Sequence, residues 1–401
     1  MPFIRSFSRP PVRLLTCLLA LLCCAAAQAV TKTDIYTVTL PVPDQSAEAR
    51  AAAVTEAFEQ VLVKMTGQRD VAARPEAQAL LASPGRYLAA FRYEQKTVTD
   101  PETNESRAQT LLQTRFDAQA MARAVREAGL PLWGDERPAT LVWLALEDGR
   151  QRVLLSAGLA DDAADEPASF GAEALSALQA AAEARGVPLI LPLLDSQDRA
   201  QVAYADVAGG FVERVLAASE RYGADAVLVG RVLRTGQIWS GRWQLLEAGQ
   251  PPSQWENRDP ALDMALQNGI NPVADAFAAR FALQTVAGAG GSQADLRIDG
   301  VDSLAAYAKV LDYLEKLTPV QNAAVREVAG QQLVVRLTLR GDIPHLERAL
   351  ALGRVLAPVE TGIVPWQPPA TSLPPLPGEQ GDGANAPVVT AVPELNYRYL
   401  P

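Results

Sequence analysis

The sequence predicts a multidomain α/β and α+β protein. Three observations carry that prediction. Apolar residues recur at helical spacing in stretches that close on glycine. Continuous apolar runs lie between them, of the kind that fill strands covered on both faces. The order then changes to β-α-β-β-α in the last third of the chain. The expected organisation is a signal peptide over 1–29, an N-terminal αβ unit over 30–135 and a Rossmann-like open sheet over 136–250. A helix plus a small ferredoxin-like β-α-β-β-α unit follows over 251–360, then a disordered Pro/Gly-rich tail over 361–401.

The first 29 residues read as an export signal. Arg5, Arg9 and Arg13 precede an apolar run from Leu14 to Ala27, and Ala27-Gln28-Ala29 places small residues where a signal peptidase reads them. The run is too short for a permanent span. Leu22 before Cys23, and Cys23 before Cys24, fit lipid attachment poorly. Cleavage after Ala29 and a periplasmic location are therefore expected. Cys17, Cys23 and Cys24 are the three cysteines of the chain, so cleavage leaves a protein without thiol or disulfide.

In the N-terminal unit, Thr33 to Val42 alternates and ends at Pro43, as a strand does. Ser46 caps the next helix, which carries Val54, Phe58, Val61, Leu62 and Met65 on one stripe and stops at Gly67. A short helix is expected over Glu76–Ala82. Tyr87–Thr97 and Arg107–Phe116 read as a hairpin whose tip is the polar stretch Asp100 to Glu105. Asp117 caps a helix that buries Met121 and Val125 before Gly129.

The middle unit opens with the apolar run Thr140 to Leu146, a strand covered on both faces, and Arg152–Ser156 pairs back after the Asp148-Gly149 turn. Asp161–Glu166 is a loop, and Ala172–Arg185 a helix stopped by Gly186. Val187–Leu194 reads as a second buried strand, Phe211–Tyr222 as a helix and Ala224–Val232 as a third strand, with Ile238–Leu246 as its edge partner. Strands alternating with helices imply a mostly parallel sheet.

Gly249–Pro260 reads as a polar bridge to the third unit. Ala261–Leu283 is a helix broken near Gly269-Ile270-Asn271-Pro272. Ala287–Ser292 is a glycine-rich linker. Its Gly288, Gly290 and Gly291 lack the lysine of a phosphate loop and do not follow a dinucleotide fingerprint. Strand Ala294–Ile298 leads to helix Ser303–Leu317 with Leu304, Tyr307, Leu311 and Leu314 on one stripe. Strands Asn322–Val328 and Gln332–Leu339 turn at Gly330, and a last helix runs from Pro344 to about Val355. Beyond Pro358 no apolar period remains. Pro368-Pro369 and Pro374-Pro375-Leu376-Pro377 favour extended backbone, and the terminal Tyr397-Arg398-Tyr399-Leu400 has the form of a short docking motif.

Composition narrows the chemistry. The chain holds 36 Lys+Arg against 46 Asp+Glu, a net charge of −10, and loss of three arginines with the signal leaves −13. Such a surface repels phosphate backbones, so no nucleic-acid partner is expected. No later stretch is long and apolar enough to span a membrane. With one histidine, His345, and no mature cysteine, Cys-His nucleophiles and thiolate or multi-histidine zinc sites are excluded. A Ser-His-Asp triad has His345 alone to draw on, and that residue sits at a helix start as a solvated side chain. No catalytic residue, metal or cofactor is assigned.

Two groups remain as candidate binding residues. Asp195, Asp198 and Asp206 follow the second buried strand, where ligands of open α/β sheets bind. The competing reading makes Asp195 a turn cap and leaves the other two solvated. Trp239 and Trp243 lie four apart on a strand and share a face, with Arg242 opposite. They either stack on a ligand or cover the sheet's own core.

Several passages resemble one family. They are Tyr36 to Ser46, Val61-Leu62-Val63-Lys64-Met65-Thr66-Gly67, Gly129-Leu130-Pro131-Leu132-Trp133-Gly134, Pro192-Leu193-Leu194-Asp195 and Arg221-Tyr222-Gly223-Ala224-Asp225 through Arg231. Together they resemble the exported proteobacterial family called domain of unknown function 2066, over nearly all of the mature chain. That resemblance implies an uncharacterised periplasmic protein and brings no activity, cofactor or catalytic residue. The acidic turn, helix and Tyr-Gly-Ala-Asp strand of the middle unit are also similar to a module of envelope proteins. It occurs in the amino-terminal domain of the Tol-system propeller protein, in curli-secretion lipoproteins and in lipoprotein activators of penicillin-binding proteins, and implies protein binding by analogy of fold.

The expected function is thus a non-enzymatic adaptor or envelope-assembly factor with a protein partner in the envelope. The alternatives are a periplasmic small-molecule or glycan-binding protein and, third, a carboxylate-based hydrolase. Nothing in the sequence sets the oligomeric state.

Overall fold

The computed structural model describes residues 34–99, 106–160, 169–284, 292–359 and 392–401. The signal, the hairpin tip at 100–105, the loop at 161–168, the glycine-rich linker and residues 360–391 with their prolines lie outside them.

The first unit is a three-stranded antiparallel sheet in the order β1-β3-β2, built from β1 (Thr37–Val42), β2 (Leu88–Thr99) and β3 (Ser106–Phe116). Its long helix α1 (Ala47–Thr66) forms where the stripe predicts it. The Ser46 hydroxyl accepts from the Ala49 N–H, and Gly67, at φ 70°, closes the end in the left-handed region. Val54, Phe58, Val61, Leu62 and Met65 pack with Val38, Leu40, Leu112 and Phe116 of the sheet in one core. Each such burial stabilises by about 1.5–3 kcal/mol before ordering costs. Helices α2 (Pro75–Leu81) and α3 (Ala118–Glu127) complete the unit, and Asp117 caps α3 as expected.

The middle unit is a mixed sheet. Its central strand is β4 (Thr140–Asp148), which runs parallel to β7 (Ala226–Thr235). On the far side β4 is flanked by β6 (Leu189–Ile190), parallel, at its start and by β5 (Gln151–Leu154), antiparallel, at its end. Beyond β7 come β8 (Ile238–Glu247) and β9 (Ser253–Asp259), both antiparallel to their neighbours. The continuous apolar run is explained by cover on both faces. Val142, Leu144 and Leu146 meet α4 (Phe170–Arg185) and α8 (Leu262–Phe281). Leu141, Trp143 and Ala145 meet α6 (Tyr204–Gly209) and α7 (Val212–Ser219), which follow the short helix α5 (Ser196–Gln201).

Four expectations change here. The strand over Val187–Leu194 shrinks to Leu189–Ile190, because Pro188 and Pro192 bracket it and neither can donate to a ladder. The polar bridge contains β9, so β8 is an inner strand; polar alternation suits an edge strand with one solvated face, and β9 is that edge. Helix α8 is continuous through Pro272, because Ala265, Leu266, Ile270, Val273, Ala274 and Phe277 seat it along the sheet. With β9 it packs on the middle sheet rather than beginning the third unit.

The third unit contains β10 (Gln293–Asp299), α9 (Leu304–Lys316), β11 (Val320–Ala329), β12 (Gln332–Leu339), α10 (Ile343–Leu352) and β13 (Leu356–Pro358). This is the β-α-β-β-α order the sequence predicts. Its helix-side core joins Leu296, Ile298, Val335 and Leu337 to Val310, Leu314, Leu346 and Leu350. The opposite face is polar and cross-linked. Arg336 donates two bonds to Asp295, and Arg297 bridges Glu394 and Gln332. The stripe on α9 is rotated from the expected one. Ala306, Val310 and Leu314 are buried, whereas Leu304, in the first turn, is 82 % exposed.

The tail is the largest departure. Glu394–Tyr399 is not disordered but forms β14, within a sheet ordered β11-β12-β10-β14-β13. Leu395, Tyr397 and Tyr399 alternate toward the helix-side core, and six residues of that period at the end of a proline-rich stretch are easily read as a loose terminus.

Candidate functional site

The acidic turn lies beyond the carboxyl end of β6. Leu194 turns the chain at φ 51°, and Asp195 then caps α5 by accepting from the Gln197 and Asp198 N–H groups. Arg221 reaches across from the end of α7. It donates to both oxygens of Asp195, at 2.9 and 2.8 Å, and to Asp198 Oδ1 at 3.0 Å. The other Asp198 oxygen accepts from the Leu194 N–H at 2.9 Å and the Tyr222 hydroxyl at 2.5 Å. The fork of Arg221 holds the Asp195 carboxyl well below the usual carboxylate range, and the same bonds raise the guanidinium. Burial, followed by the Asp198 bond, pushes the Tyr222 phenol up to about 12.

Asp206 stands apart from this group. It accepts from the Ala203 N–H and from Arg214. The structure therefore brings Asp195 and Asp198 together and leaves Asp206 in a separate cap. The acceptor oxygens of the pair already face N–H and O–H donors, and a cation there would have to displace Arg221. Among the described residues no group of three or more His, Cys, Asp or Glu side chains could hold a metal ion.

Trp239 and Trp243 share the face expected, and that face is the core. Trp243 is fully buried, and its indole N–H donates to Asn257 Oδ1 at 2.8 Å. Asn257 in turn donates to Asp259 and to the Ala265 carbonyl, so β8, β9 and α8 are joined through one amide. Gly269 of α8 lies against the indole, where a Cβ would meet ring atoms at 2.2 Å. Trp239 stacks on Phe170 at 5.9 Å. Arg242, on the other face, pairs with Glu256 in the open.

Sequence reasoning passed over a buried junction. Arg137, in the short connection before β4, donates to four carbonyls: Gly134, Gly186, Lys64 and Trp133, at 2.7–3.0 Å. Its guanidinium lies 3.9 Å from the centre of the Trp133 ring. Burial drives its pKa down to about 9. Beside it Glu136 accepts from the backbone and hydroxyl of Thr318, joining this connection to the third unit, and burial raises its carboxyl. The one available signal was the charged triplet Asp135-Glu136-Arg137 directly ahead of a buried strand.

A cleft of about 670 Å³ opens near this junction, between the end of α1, the Gly129-Leu130-Pro131 turn and the last turns of α8. Its charged lining is Arg69, Arg74, Asp70, Glu76 and Asp275. Asp275 is bound by Arg185 at 2.7 Å and by Arg69 at 3.4 Å. Gln68 and Arg74 also line it, and each has a buried side-chain atom, Oε1 and Nε, without a hydrogen-bond partner among the described residues. Residues from three separate stretches make this wall, so no local motif announces it. His345, the single histidine, is tied by Nδ1 to Asp342, the cap of its own helix.

Comparison with known proteins adds little chemistry. Residues 29–134 match a family model described as Domain of unknown function (DUF8605). That agrees with a domain of unknown function and differs from the family 2066 resemblance. No curated protein matches. The crystal structure of lipoprotein GNA1162 from Neisseria meningitidis is similar at 15% identity, over 34% of this chain and 96% of that one. Its TM-score is 0.20, and the likeness carries no argument. Among the described residues no helix is long and apolar enough to cross a membrane.

Proposed function

We propose that this is an exported, periplasmic binding protein of the adaptor type, which engages a segment of an envelope partner in the cleft between α1 and α8. The family 2066 resemblance and the basic, apolar and small-residue order of Met1–Ala29 support export. The cleft carries the binding reading. It is open and lined by charges of both signs, Arg69 and Arg74 beside Asp70, Glu76 and Asp275, to which a partner's polar groups can pair. The carboxylates and tryptophans that would otherwise form a ligand site are engaged in holding the fold.

The same cleft supports a second reading, a small-molecule or glycan ligand, because its volume lies in the range of roughly 300–1,000 Å³ usual for such sites. A photo-crosslinking residue in place of Ala279 or Gln284, both in the cleft wall, separates the two. Capture in cells of one envelope protein, lost on Arg69→Glu, is the expected result. A co-purified small molecule with no captured protein would end the adaptor reading.

A further inference from the structure

The C-terminal strand occupies an unusual position. Residues Glu394 to Arg398 pair in parallel with Asp295 to Asp299 of β10, the one parallel pairing in this sheet. On its other side β14 meets β13 over three residue pairs, antiparallel. The Asp295 N–H donates to the Pro393 carbonyl at 2.9 Å, Val359 to Asn396 at 3.0 Å and Leu400 to Val355 at 2.8 Å. Tyr397 enters the helix-side core at 7 % exposure, and Glu394 pairs with Arg297 on the polar face at 2.6 Å. Residues 360–391 join β13 to β14 along the chain.

We propose that the space between β10 and β13 is a strand-accepting site, filled in cis by Glu394–Tyr399 and able to take an extended partner segment of the same pattern in its place. That pattern is acid, apolar, any, aromatic, basic, aromatic. The two edges of the site set its chemistry and its hold. Main-chain bonds give such a site its affinity, while alternate side chains give it specificity, here Tyr397 in the core and Glu394 on Arg297. β13 runs antiparallel to β14, and therefore to β10 as well. The β13 edge holds β14 over three residue pairs, so little pairing on that side is lost when β14 leaves. Because β14 belongs to the same chain, it is an intramolecular competitor, which keeps weaker segments out. The inference rests on the adaptor reading and supplies it with a second surface of defined chemistry.

The test uses the full chain with a specific protease site placed within residues 360–391. After cutting, a dye-labelled peptide of residues 392–401 is added in excess. The cut protein is expected to take up label while the freed segment appears in solution. Uncut chain takes up about a hundredfold less, because its own segment stays covalently attached and rebinds. Labelled peptide carrying Tyr397→Ala binds about tenfold more weakly or worse. Peptide carrying Glu394→Arg also binds more weakly, and pairing with Arg297→Glu in the protein restores it. The proposal is overturned if the cut segment stays bound without exchange in an otherwise native protein. Unfolding of the whole third unit on cutting, or equal labelling of cut and uncut chains, would overturn it too. The assay uses this chain alone, so its failure leaves capture from the cleft to be judged separately.

Discussion

Arg137 and Arg221 each tie distant parts of the chain together, and they do it in opposite ways. Arg221 meets carboxylates at a half-open strand end, and charge answers charge. Arg137 meets four backbone carbonyls and an indole face in the interior. The first arrangement is a strong ion pair partly screened by water. The second is a buried cation whose solvation is supplied by peptide dipoles, which is why burial depresses its pKa while the pairing raises that of Arg221. What an arginine contributes is decided by what surrounds it.

That contrast breaks first at Arg137. Arg137→Ala orphans four carbonyls at the meeting of α1, α4 and the inter-unit connection, and is expected to destabilise by about 4 kcal/mol in urea denaturation. Arg137→Lys should recover little, since an ammonium lacks the planar fork. A loss below about 1 kcal/mol would show that water replaces the side chain and that the junction is not closed.

Next comes the buried tryptophan. Trp243→Ala is expected to cost about 3–5 kcal/mol. Gly269→Ala drives a methyl into the same ring and costs about 1–3 kcal/mol or more. Combining Gly269→Ala with Trp243→Leu should cost less than the sum of the two single changes. Strict additivity, read from the melting curves of wild type, both single variants and the double variant, would contradict the close approach of α8 and β8.

The strand end gives a smaller effect with a distinctive pH signature. Arg221→Gln should cost about 1 kcal/mol near neutrality. Asp195 has a depressed pKa in the folded state, so its contribution is present above the ordinary carboxylate pKa and fades as pH falls toward the folded value. The gap between wild type and Arg221→Gln should therefore be level above about pH 5 and narrow below about pH 4. A gap that widens on acidification would assign the stabilisation elsewhere. Arg242→Ala, which removes an exposed pair with Glu256, should change stability by less than about 0.5 kcal/mol.

Legibility in the sequence follows the range of the interactions. Helix α1 could be read from Ser46, the apolar stripe and Gly67 because capping and periodicity act within a few residues. The β10-α9-β11-β12-α10 order was legible for the same reason. The apolarity of Val187–Leu194 points to a longer strand than Pro188 and Pro192 allow. β9 is hidden by its polar alternation, although its partner β8 is next to it in the chain, and β14 because its partner β10 lies about a hundred residues away. At the candidate sites, Asp195 as a cap was visible locally, whereas its fork with Arg221, 26 residues on, was not. The cleft wall gathers residues from 66 to 284 and had no local signature at all.

The sequence by itself determined the capped ends of helices such as α1 and α3, the cover of β4 on both faces, and that residues 30–401 carry no cysteine. Each of those follows from short-range backbone chemistry or from composition. Only the tertiary structure decided that the two tryptophans face inward, that Asp195 and Asp198 are claimed by Arg221 and Tyr222, and that the last strand sits between β10 and β13. Burial, carboxylate partnership and strand pairing are set by residues tens to hundreds of positions apart, and no local pattern encodes such distances.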